Sequence, residues 1–74
     1  MQIEHIKQYR LLGLKIAYYR KLNGLSQEKL AELVNISRTH MSRIETAECA
    51  VSLDNIFAIS KALDVEVYKL FMTD

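Results

Sequence analysis

Six residues of the chain hold Arg38, Thr39, Ser42 and Arg43, side chains suited to reading DNA. A guanidinium can grip guanine O6 and N7 with two hydrogen bonds, while threonine offers a methyl for a thymine methyl and a hydroxyl for a base edge. With Met41 and Ile44 turned inward, a helical rotation of about 100° per residue turns these four to the outside or the flank. Any one of them alone is ordinary solvated surface. What carries the reading is their joint placement inside a larger pattern.

That pattern runs from Gln27 to Thr46, QEKLAELVNISRTHMSRIET, and reads as two short helices joined by a tight turn. In a helix-turn-helix the helices cross steeply over three or four residues, so the requirements fall at fixed offsets. Ala31 supplies a small residue where the helices touch. Asn35, one of the few non-glycine types that accept positive φ, stands in the turn four positions later. Leu30, Val34, Ile36, Met41 and Ile44 can fill the angle between the helices. Ser26 and Ser37 can each cap a helix by accepting a backbone N–H, and Glu28 sits well against the positive end of the first helix.

With these residues in view, the stretch from about Leu12 to Phe71 resembles the DNA-binding domain of the lambda repressor and Cro-like family, the XRE family of bacterial and phage regulators. The matching strings are GLSQEKLAELVNISRTHMSRIE and SLDNIFAISKALDV, so the resemblance covers about four fifths of the chain. The chain departs from the family pattern in two places. Where the family usually has a glycine after the Ile-Glu pair and often a proline before the next helix, this sequence has Thr46-Ala47-Glu48-Cys49-Ala50-Val51. Asn35 also replaces the usual turn glycine, a change that left-handed geometry tolerates.

The resemblance implies residue roles. Arg38, Thr39, Ser42 and Arg43 occupy the positions that read base edges. Gln27 occupies the position that holds a phosphate through its amide and the start of its helix. His40 lies on the flank of the recognition helix, better placed for phosphate than for base, and Ser37, Lys15 and Lys29 join the phosphate-contacting set. Arg20 and Glu45 resemble a salt bridge tying the first helix to the end of the third. A bidentate arginine there would fix the helix angle, which makes Arg20 structural.

At 74 residues the chain reads as a single domain, 1–74, with residues 1–8 a possible N-terminal extension of the first helix. A domain of this size buries only ~60% of its unfolded surface, and no room is expected for an effector domain. Half the residues are hydrophobic, proline is absent and only two glycines occur. That balance favours an all-α fold. No stretch reaches the ~20 apolar residues of a membrane span and no cleavable signal opens the chain, so a cytoplasmic location is expected.

The net charge of +1 hides an asymmetry. Residues 1 to 43 carry eight Lys or Arg against three Glu, a balance of +5; residues 44 to 74 carry two against six acids, a balance of −4. This suggests a basic face for phosphates and an acidic end turned away.

Five helices are expected, the compact lambda-repressor-like arrangement. The first runs from about Tyr9, or earlier, to Leu22, with Asn23-Gly24 as its stop. The fourth starts at a capping Ser52 and ends near Asp64; the fifth is short, from about Glu66 to Met72. Helix 1 carries two apolar stripes: Leu12, Ile16 and Tyr19 suit the core, and Leu11, Leu14, Tyr18 and Leu22 need other cover. Leu70 and Phe71, with Ile3 and Ile6, are expected to cover Leu14 and Tyr18 within one chain, a second subunit being the alternative.

Catalysis finds little support, because no Cys/His/Asp set offers a nucleophile with its base. His5 and His40 lack ligand-like spacing and one cysteine cannot make a zinc cluster; no metal, cofactor or small-molecule ligand is expected. Cys49 reads as a small filler in a reducing compartment. Two functions remain. One is a transcription regulator, not an enzyme, bound to double-stranded DNA as a homodimer on a palindromic operator. A stand-alone domain of this kind resembles phage Cro-like proteins and the controllers of restriction-modification systems. Its expected interface is Leu63, Val65, Val67, Leu70 and Phe71 near the C-terminus. The other is a protein-interaction module of antitoxin or anti-repressor type, which an uncovered stripe on helix 1 would favour.

Overall fold

The computed structural model describes residues 4–72. Four α-helices follow one another: α1 Ile6–Leu22, α2 Gln27–Leu33, α3 Arg38–Glu45 and α4 Leu53–Leu63. A 3-10 helix, Val67–Phe71, ends the described chain. The described residues contain no strand, and no helix among them is long and apolar enough to cross a membrane.

Local chemistry sets most boundaries. Ser26, Ser37 and Ser52 each precede a helix in extended conformation and accept a backbone N–H through the hydroxyl, from Lys29, His40 and Asn55 at 3.0, 3.0 and 3.1 Å. Such caps satisfy one of the donors that a helix start leaves unpaired. At the end of α1, Gly24 takes a φ of +69°, and the Leu25 N–H reaches back to the Arg20 carbonyl at 3.1 Å. Asn23 then links two helix ends, its amide donating to the carbonyls of Tyr19 at 2.8 Å and Leu63 at 3.2 Å.

The expected fifth α-helix is instead a five-residue 3-10 turn, with Lys69 N–H donating to the Glu66 carbonyl at 3.0 Å. Asp64, at a φ of +57°, stops α4, and the turn Val67–Phe71 closes with an i→i−3 bond, the tighter geometry that short helical runs favour. Leu70 from this turn is fully buried, and it completes a core built from Leu12 and Ile16 of α1, Leu30 and Ala31 of α2, Met41 and Ile44 of α3, and Ile56, Ile59 and Leu63 of α4.

The second stripe of α1 is not covered. Leu14 and Tyr18 remain 65% and 54% exposed, and Leu11 and Leu22 are exposed as well. The terminal 3-10 helix is too short to reach both sides of α1: Leu70 enters the core, and Phe71 lies with His5, Tyr9 and Leu12 along one apolar groove. Ile6 is half-buried, and Ile3 lies outside the described residues.

Candidate nucleic-acid interface

The apolar side of α3 is fully used. Met41 and Ile44 are buried, so Arg38, Thr39 and Arg43 fall on the exposed side and Ser42 beside them, half-buried. All four line one shallow polar recess, together with Glu48. The four candidate base-reading residues are therefore brought together on one surface. Glu48 was not singled out from the sequence. His40 is half-buried on the flank, and its backbone N–H is the one capped by Ser37.

Two contacts set the angle at which α3 is presented. At Gly13, α1 lies almost against the α3 backbone: an added Cβ would overlap the Glu45 carbonyl oxygen and stand 2.8 Å from both its carbonyl carbon and the Ile44 oxygen. Only a residue without a side chain permits that approach. Seven positions on, the Arg20 guanidinium spans both carboxylate oxygens of Glu45, Nε to Oε2 at 2.8 Å and a terminal nitrogen to Oε1 at 3.1 Å. Its other terminal nitrogen donates to the Leu25 carbonyl at 2.8 Å. The Gln27 amide nitrogen adds a bond to Glu45 Oε1 at 3.0 Å. One buried carboxylate thus ties the end of α3 to α1 and to the first residue of α2.

The loop after α3 keeps regular geometry although glycine is absent from it. Ala47 takes a φ of +61°; its N–H donates to the Ile44 carbonyl at 3.3 Å, and Glu48 N–H donates to Arg43 at 2.8 Å. This is the paired arrangement that commonly ends a helix, with the left-handed residue usually glycine. Ala47 accepts the strain while its methyl is buried. Asn35 does the same in the turn between α2 and α3, at a φ of +61°.

Residues 16–70 match the helix-turn-helix family. The chain belongs to the lambda repressor and Cro-like, or XRE, helix-turn-helix family. It is 38% identical over 60 residues to the control protein C.SmaI of Serratia marcescens, covering 81% of this chain and 71% of that protein. To the control protein C.BamHI of Bacillus amyloliquefaciens it is 47% identical over 57 residues, 76% of this chain and 70% of the relative. Among solved structures, the restriction-modification controller protein C.AhdI of Aeromonas hydrophila superposes with a TM-score of 0.84 at 35% identity, over 88% of this chain and 98% of that one. The family is one of DNA-binding transcription regulators, and this chain shares its helix-turn-helix at α2 and α3.

The remaining candidate residues of this XRE-family chain are more scattered. Lys29 is exposed and lies 3.5 Å from Glu32. Lys15 is half-buried, its ammonium 5.9 Å from the centre of the Tyr18 ring. Of the five residues expected to form a dimer interface, Leu63 and Leu70 are 1% and 0% exposed in the chain's own core and offer nothing to a partner. The reason is geometric: the αL turn at Asp64 folds the 3-10 helix back onto α1 and α4, and that inserts Leu70. Val65 and Val67 are half-buried, whereas Phe71 is exposed, as are Tyr68 and Met72.

Proposed function

We propose that this chain is a sequence-specific transcription regulator that binds a palindromic operator as a homodimer, with α3 in the major groove. The observation that carries the reading is the polar recess on the outer side of α3, where Arg38, Thr39, Ser42 and Arg43 meet. In this reading the arginines bind guanine edges, Thr39 and Ser42 complete the base contacts, and Gln27, Ser37, His40, Lys15 and Lys29 touch phosphates. The Gln27 amide carries two N–H groups, so one can serve a phosphate while the other holds Glu45. A single small motif supplies too few contacts for a specific site, and two-fold pairing sets two recognition helices about 34 Å apart, one turn of DNA. Pairing would fall on Phe71, with Val65 and Val67, and with Tyr68 and Met72 beside it. The expected location is the cytoplasm, where the operator is.

Selection of sites from random duplex DNA by the purified protein tests this. The expected product is a two-fold symmetric sequence with guanine in each half-site. Recovery of no enriched sequence would contradict it.

One observation favours a second reading, a module whose main partner is another protein. The stripe Leu11, Leu14, Tyr18 and Leu22 is exposed over the C-terminal two thirds of α1, more apolar surface than a solvated helix needs. Sedimentation at tens of micromolar, free and with operator DNA, separates the two. A dimer weakened by Phe71→Glu supports the first reading; a monomer in both states leaves the α1 stripe as the contact surface.

A further inference from the structure

Glu48 is the one acid among the residues that line the α3 recess. An exposed carboxylate on a surface turned toward phosphates is repelled by them. That cost is recovered if the carboxylate meets a hydrogen-bond donor on the DNA, and the major groove offers one at cytosine, whose N4 amino group is the usual partner of a glutamate or aspartate.

We propose that Glu48 is a base-reading residue that selects cytosine through its N4 amino group, beside the bases met by α3. The inference rests on the DNA-binding reading and adds a specificity residue to it.

Three features hold the carboxylate in place. Glu48 is anchored at its backbone, its N–H donating to the Arg43 carbonyl at 2.8 Å, directly behind a candidate base-reading side chain. Ala47 before it is buried and fixed in the left-handed region, so the loop leaves α3 in one direction. The Thr46 hydroxyl stands 2.7 Å from Glu48 Oε2 and 2.9 Å from the Ser42 carbonyl; its single proton is better placed on the charged acceptor. A carboxylate has about four lone-pair sites, so a base amino group can be accepted while Thr46 keeps its bond. Pre-ordering of this kind lowers the entropy that a contact from a loop side chain would otherwise lose on binding.

The alternative is that Glu48 only repels DNA and tempers affinity. Removing the charge would then raise binding to every duplex alike. Removing a base reader would flatten one position of the site.

The experiment is selection from random duplexes with the wild type, Glu48→Ala and Glu48→Gln in parallel, with each protein's affinity then measured on the wild-type site and on a random duplex. Glu48 is exposed, so the variants are expected to fold. Glu48→Ala should lose the cytosine preference at one position per half-site, by a factor on the order of ten, with the arginine-read positions unchanged. Glu48→Gln keeps an acceptor oxygen without the charge and should fall between the two. If both variants bind every duplex more tightly by a common factor and select the wild-type site, Glu48 is an electrostatic brake and the proposal fails. A wild type that enriches a site with no cytosine position sensitive to Glu48 also overturns it. A wild type that enriches nothing overturns the DNA-binding reading itself, and with it this one.

Discussion

Arg20 and Glu45 lie 25 positions apart and meet as a two-point pair, at 2.8 and 3.1 Å. Both side chains are largely out of water, 11% and 4% exposed. A buried pair is weak evidence for stability, since desolvation offsets much of the attraction, but removing one partner strands a charge. The pair joins the last turn of α1 to the last residue of the helix that carries the candidate base readers. Its main consequence is the direction in which α3 points.

Arg20→Ala or Glu45→Ala should therefore destabilise the domain by about 3–5 kcal/mol, read by thermal or urea unfolding. The double replacement Arg20→Met with Glu45→Leu should recover much of that stability and little of the operator affinity. If affinity returns together with stability, the pair holds the fold together and does not set the angle of α3.

Gly13 provides the complementary constraint. Because an added methyl meets backbone of α3 and not a movable side chain, Gly13→Ala should force the helices apart, at a cost of about 1–3 kcal/mol despite alanine's better helix propensity. The melting temperature and the operator affinity should both fall. A variant that melts at or above the wild type would show that α1 and α3 can separate freely.

Left-handed positions give a test of opposite signs. Asn35→Val should cost about 1–2 kcal/mol, because a β-branched residue is strained at a φ of +61°, while Asn35→Gly should be tolerated. Asp64→Gly should raise stability by about 0.5–1 kcal/mol: it relieves the φ of +57° and removes a negative charge from the negative end of α4. For a domain this small, 1 kcal/mol corresponds to roughly 4–8 °C in melting temperature. An Asn35→Val variant that melts with the wild type would contradict the strain assigned to the turn.

What the sequence made legible was local. The capping serines, the asparagine that turns left-handed between α2 and α3, and the inward Met41 and Ile44 follow from side-chain chemistry and helical spacing, and the structure has each of them. What it missed depended on where separate elements land. A glycine inside a helical pattern says only that a backbone comes close, not which one, so the Gly13 contact with α3 went unread. Leu63 and Leu70 looked available to a partner because nothing in their spacing shows that Asp64 folds the last turn into the core. For the same reason spacing does not show that Leu14 and Tyr18 stay exposed, with Leu70 in the core and Phe71 on another side of α1. Glu48 went unnoticed because its place beside Arg43 depends on Ala47 turning left-handed, which an alanine in sequence does not announce.

The central claim, that the outer face of α3 reads bases, is tested most directly by measuring Arg38→Ala and Arg43→Ala on the selected site and on random duplex DNA, with Gln27→Ala in parallel. Each arginine variant should lose about 1–3 kcal/mol, roughly five- to 150-fold, on the selected site, keep most of its affinity for random DNA and relax one base position. Gln27→Ala should weaken every sequence, and the selected site somewhat more than random DNA, because it also removes the bond to Glu45 that helps hold α3; unlike the arginine variants, it should relax no single base position. Arginine variants that lose affinity for selected and random DNA by the same factor would contradict the claim and leave α3 with phosphate contacts alone.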